Sequence, residues 1–164
     1  MNKIFVLLMT TIIVIAPGNS LANEDKIIEV TLTIEAPFTK EVFVIKKYSG
    51  TMLYTADSQK ASIRNQYSLP KEESKNLSST LLNKLESTIK NRNFWSFKED
   101  YTDEFLADST RYTVSIKAIP PGPPELVDAY YYTVSCAGDC PKNIMEIVNS
   151  IKHLWGKKLL EIGI

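Results

Sequence analysis

The chain has 164 residues and carries 19 Lys and Arg against 19 Asp and Glu, with one His and two Cys. That balance argues against general nucleic-acid binding, which draws on surplus Lys and Arg to neutralise phosphates. It argues equally against electrostatic attachment to an anionic membrane.

The first 22 residues carry the marks of an export signal. Met1-Asn2-Lys3 supplies one positive charge, and an uncharged, mostly apolar run follows from Ile4 to Ala16. Pro17 and Gly18 break any helix, and Ser20-Leu21-Ala22 places small residues at −3 and −1 of a cut after Ala22. That order is what signal peptidase reads. The apolar run is shorter than the roughly 20 residues a spanning helix needs. Cleavage would take 22 residues from the 164 and leave a chain of 142, residues 23–164. Lys3 is the only charge removed, so the mature chain carries 18 basic and 19 acidic residues, a net charge of −1. It is expected in the periplasm or secreted, with no membrane span after cleavage. The length suits one domain with its own hydrophobic core, and no repeat or linker divides it.

Residues 27–34 alternate, with Ile28, Val30, Leu32 and Ile34 on one face and Glu29, Thr31 and Thr33 on the other. That is the period of a half-buried strand. Residues 41–48 and 51–56 are rich in β-branched and aromatic types, and Ser49-Gly50 between them predicts a hairpin with a two-residue turn. Residues 61–69 give a weaker fourth strand. From about Pro70 to Asn91 the period changes: Leu77, Leu81, Leu85 and Ile89 mark one face of a helix, with Ser68 as N-cap and Glu72 and Glu73 in the first turn. Phe94, Trp95 and Phe97 are expected to plug the space between helix and sheet.

Residues 98–110 read as an acidic, irregular loop. Residues 111–119 alternate again, and Pro120-Pro121-Gly122-Pro123-Pro124 forms a stiff connection to a returning strand over 126–135. The last helix runs from about Pro141 to Trp155, with Gly156 as its stop. The order ββββαββα predicts an α+β fold: an antiparallel sheet of about five to six strands with two helices packed on one face.

Cys136 and Cys140 are the only cysteines. In an oxidising compartment a close pair becomes a disulfide. It closes a tight loop, Cys-Ala-Gly-Asp-Cys, worth only ~2 kcal/mol by chain entropy. A thiol-redox role fits less well, since three residues rather than two separate the cysteines. A metal site is not expected either. His153 lies about three helical turns beyond the cysteine loop, roughly 20 Å at 1.5 Å per residue, and zinc prefers clearer Cys/His spacing.

No catalytic motif is present and no cofactor is implied. His153 has no nucleophile elbow or orienting carboxylate to serve. The loop residues Asp100, Tyr101, Asp103, Glu104 and Phe105 interleave carboxylates with aromatics, a mixture suited to docking against a protein. In Tyr130-Tyr131-Tyr132 strand alternation must turn at least one ring away from the core, and Tyr131 joins the candidate partner-binding residues. The expectation is a small exported envelope protein that binds another protein of the envelope or an incoming one, as inhibitor, immunity protein or assembly factor. The alternatives are a periplasmic hydrolase using the loop carboxylates and, more remotely, a thiol-redox protein.

Overall fold

A computed structural model describes residues 25–58, 72–102, 109–122 and 128–156. The expected export signal, the strand expected over 61–69, and Asp103, Glu104 and Phe105 lie outside the described residues.

The chain is α+β. Seven strands form one sheet: β1 (Lys26–Ala36), β2 (Thr39–Lys46), β3 (Thr51–Ser58), β4 (Glu72–Asn76), β5 (Asp100–Thr102), β6 (Arg111–Ile119) and β7 (Tyr130–Ala137). They lie in the order β4-β3-β2-β1-β6-β7-β5. Two helices, α1 (Ser79–Asn91) and α2 (Lys142–Trp155), complete the fold with a 3₁₀ turn at Phe94–Ser96. The element order, ββββαβββα, corrects the expectation of five to six strands in the order ββββαββα. Nor is the sheet wholly antiparallel, because β5 pairs with β7 in parallel.

Alternation builds the sheet. Val30, Leu32 and Ile34 of β1 face inward, opposite Ile45 and Phe43 of β2 and Ile116 and Val114 of β6. The expected partner Ile28 is only half-buried, and Ile27 takes its place in the core. The cause is a register shift between Ile27 and Glu29 on the β6 side. One extra residue in a strand flips the faces beyond it.

The β2–β3 hairpin closes with Lys46 paired to Thr51, so four residues, 47–50, form the turn rather than the two expected. Gly50 sits at φ +65, and a Cβ there would press to 3.3 Å from the Leu77 carbonyl. That close approach follows from the Gly50 carbonyl accepting the Leu77 amide at 2.7 Å, which ties the turn to the end of β4.

The first helix begins later than its sequence pattern predicts. Glu72 and Glu73 lie in β4, and the N-cap is Ser78, whose hydroxyl accepts the Leu81 amide at 3.3 Å. Ser68 therefore does not cap it. Leu82, Leu85 and Ile89 are buried, while Leu81 is 39 % exposed. The second helix starts at Lys142 with Pro141 as N-cap, and no side chain among the described residues caps it. It ends at Gly156, φ +87, as expected.

Both helices cover the same side of the sheet. Leu82, Leu85 and Ile89 of α1 meet Ile27, Val30 and Ile45. Trp155 of α2 packs on Phe43 and Tyr54, with ring centroids 6.4 and 5.1 Å away. The helices are also tied by Arg92 at the end of α1, which pairs with Glu146 in α2. Phe94 is fully buried and meets Trp95, Phe97 and Tyr132 edge-on, so the expected aromatic plug exists.

Candidate functional site

Among the described residues, the sheet has one face covered by the helices and one left open. Opposite the helices, the central strands present Thr31, Thr33, Val42, Val44, Leu53, Thr113 and Ser115, all half-buried by their neighbours. Among the described residues no helix or strand lies over them. Hydroxyls pair across strands on this face: Thr113 with Ser135 at 3.1 Å and Ser115 with Thr133 at 2.9 Å. Such cross-strand pairs hold side chains in fixed positions.

The three tyrosines of β7 divide as alternation demands. Tyr130 and Tyr132 turn to the helix side, paired with Ala118 and Ile116. The Tyr132 hydroxyl donates to the Phe97 carbonyl. Tyr131 turns to the open face and is 60 % exposed. Its register partner is Lys117, whose ammonium stands 5.1 Å from the ring centroid. A cation over a tyrosine face is attracted by the ring quadrupole, so the ring has a defined seat.

Asp100 belongs to the same face, because it pairs with Ser135, four residues along β7 from Tyr131. At about 3.3 Å per residue the two side chains lie roughly 13 Å apart along the strand direction. The Asp100 carboxylate accepts from the Thr102 hydroxyl and from the Thr102 amide at 2.8 Å. These bonds, with Arg111 nearby, hold its carboxyl below the usual range. Such a group stays ionised at neutral pH, which suits charge recognition and not proton donation. Tyr101 pairs with Cys136 and so points to the helix side, where its ring meets Phe97 and its hydroxyl accepts the Lys98 amide at 2.9 Å.

Of the candidate residues, then, Asp100 and Tyr131 share the open face, Tyr101 supports the strand from behind, and Asp103, Glu104 and Phe105 are not described. Lys117 is the residue that sequence reading missed. Its signal was its place in an alternating strand, but only the β6–β7 register makes it the neighbour of Tyr131.

Cys136 and Cys140 are joined, with Cα atoms 5.4 Å apart. Cys136 is fully buried at the end of β7, and Gly138 adopts φ +76 within the loop. The bond thus fixes the corner between β7 and α2, beside the pairing of β5 with β7.

The other side of the molecule has a groove of about 360 Å³ between the helices, lined by Leu81, Lys84, Leu85, Asn149, His153 and Leu154. The Asn149 side-chain oxygen is buried there and meets no hydrogen-bond partner among the described residues. At the same end of α2, Trp155 joins Tyr54 and Phe43 of the sheet in one aromatic cluster, with Lys75 of β4 5.0 Å over the Trp155 ring. Among the described residues no three His, Cys, Asp or Glu gather in a geometry able to hold a metal ion. No helix among them is long and apolar enough to cross a membrane. A scan of family models found no match to this chain, and comparisons with curated proteins and with solved structures likewise found none.

Proposed function

We propose that the protein is an exported, non-enzymatic protein-binding module that works outside the cytoplasm as an inhibitor, immunity protein or assembly factor. The observation that carries this reading is Tyr131: a large aromatic, 60 % exposed, seated by Lys117 on an open sheet face. Tyrosine is enriched at binding hot spots because a rigid amphipathic ring buries much area at little entropic cost. The ionised Asp100 on the same face adds a charge that steers and orients a basic partner. The disulfide and the close-packed side behind make the platform stiff, so little ordering cost is left for binding.

The test is capture with paired variants. Mature protein, residues 23–164, is immobilised and exposed to periplasmic extract and to incoming competitor proteins. A partner held by the wild type should be lost with Tyr131→Ala, weakened with Asp100→Asn, and kept with Leu81→Ala, which alters the helix groove alone. If retention is the same for all four proteins, the open face is not the docking surface. Export has its own check: the mass of protein recovered from the periplasm should correspond to a chain starting at Asn23.

A further inference from the structure

The two edges of the sheet are built differently. β4 forms one edge with Glu72-Glu73-Ser74-Lys75-Asn76, and its Lys75 turns inward over Trp155. Charges and inward-pointing lysines are how proteins stop edge strands from pairing with other chains. At the other edge β5 covers only Ser135 to Ala137 of β7. The stretch before it, Tyr130-Tyr131-Tyr132-Thr133-Val134, has no charged residue and consists of strongly strand-forming types.

The backbone of that stretch faces outward in a defined way. The Ser135 amide donates to the Glu99 carbonyl at 2.8 Å, so it points away from β6. Strand alternation then points the main-chain amides and carbonyls of Thr133 and Tyr131 the same way. Among the described residues nothing bonds to them. β5 does not continue alongside, because the chain before it turns under the sheet, where the Phe97 carbonyl receives the Tyr132 hydroxyl.

We infer that this edge of β7 pairs with β7 of a second copy of the chain, antiparallel about a two-fold axis near Tyr131. The edge is self-complementary. A two-fold there sets each Tyr131 amide and carbonyl against those of the other copy and places the two Tyr131 rings side by side on the open face, each flanked by its own Lys117. Isologous pairing of this kind closes on itself and makes a dimer, not a fibre. Pairing runs in the plane of the sheet, so it leaves the open face free and joins two such faces into one. The inference is therefore separate from partner docking: a monomer that still captures a partner would sink this proposal alone.

The experiment is sedimentation equilibrium of the mature, oxidised protein from 1 to 200 µM, with amide exchange measured alongside. The expected result is a concentration-dependent dimer in which the Tyr131 and Thr133 amides exchange more slowly as the dimer fills. Tyr131→Lys should raise the dimer dissociation constant at least tenfold by setting like charges across the axis. Thr133→Pro should do the same by removing an outward amide, a substitution an edge position tolerates without losing a bond to β6. Circular dichroism identifies either variant if it fails to fold, and the wild-type exchange data then stand alone. A wild type that is monomeric throughout, or a dimer untouched by both variants, overturns the proposal.

Discussion

Tyr130 is where the start of the described chain is anchored. Its hydroxyl donates to the Asp25 carboxylate at 2.6 Å, which ties the residue before β1 to β7 across the sheet. Burial first, and then the adjacent Asp25 charge, push the phenol up to about 12 from the ordinary 10. The Trp95 indole N–H pulls the other way but falls short of hydrogen-bond geometry, and that buried donor meets no partner among the described residues. A phenol whose pKa is higher folded than unfolded contributes stability that is complete below pH 10 and lost as pH climbs toward 12. Tyr130→Phe should therefore melt a few degrees lower than wild type at pH 8 and show a shallower fall between pH 10 and 12. Melting curves across that range are the check, and parallel slopes would show that the hydroxyl does not titrate with unfolding. Tyr112, also raised by burial, adds to the alkaline sensitivity. Glu86 behaves with the opposite sign. Burial favours its neutral form, yet the Lys47 and Lys90 ammonium groups overcome this and lower its pKa. Its contribution is present above the ordinary carboxylate pKa and fades as pH falls below it. Glu86→Gln should cost about 1 kcal/mol at pH 7, with the difference from wild type vanishing near pH 3 in urea titrations.

At the scale of elements, legibility followed the strength of local periodicity. β1, β6 and the second helix show in the sequence because each buries one regular face, and periods of 2 and 3.6 record that directly. β4 does not show. Glu72-Glu73-Ser74-Lys75-Asn76 contains no apolar residue, and its extended state comes from pairing with Thr51 to Thr55 of β3. Two glutamates before a leucine run imitate the first turn of a helix, so the pattern points to Ser68 while the cap is Ser78. The parallel β5 was hidden for a similar reason: three residues are too few for any period, and their partner lies about 35 positions away. The candidate site was legible in its residue types, as with Tyr131 on an alternating strand. It was not legible in its company, since Lys117 joins it only through register. The corrected helix start carries a prediction of its own. Ser78→Ala removes the acceptor for the Leu81 amide and should cost about 1 kcal/mol in chemical denaturation. Truncating Ser68 should cost α1 nothing, and equal losses at both positions would show that Ser78 is not the cap.

Across the whole molecule the governing feature is that one sheet carries two unlike faces. The helix side is a continuous apolar core from Ile27 to Leu154, and at its centre lie Phe43 and Tyr54, at most 1 % exposed, with rings 4.9 Å apart beneath Trp155. The open side is spaced by hydroxyls. Phe43 and Val44 are neighbours on β2 and point to opposite sides, so they compare the two faces at one place in the chain. Phe43→Ala empties a fully buried aromatic site that α2, Tyr54 and the sheet hold open, and it should cost about 3–5 kcal/mol. A single domain of this kind has only about 5–15 kcal/mol in hand, so this variant should sit close to unfolding at body temperature. Val44→Thr keeps the shape and adds a hydroxyl to a row that already contains Thr31 and Ser115. With water on that face it should cost under about 1 kcal/mol. Urea unfolding of both variants measures the contrast. If Val44→Thr were as costly as a buried valine-to-threonine change, the face would be covered in the folded protein, and Tyr131 and Asp100 would no longer be standing on a surface that a partner can reach.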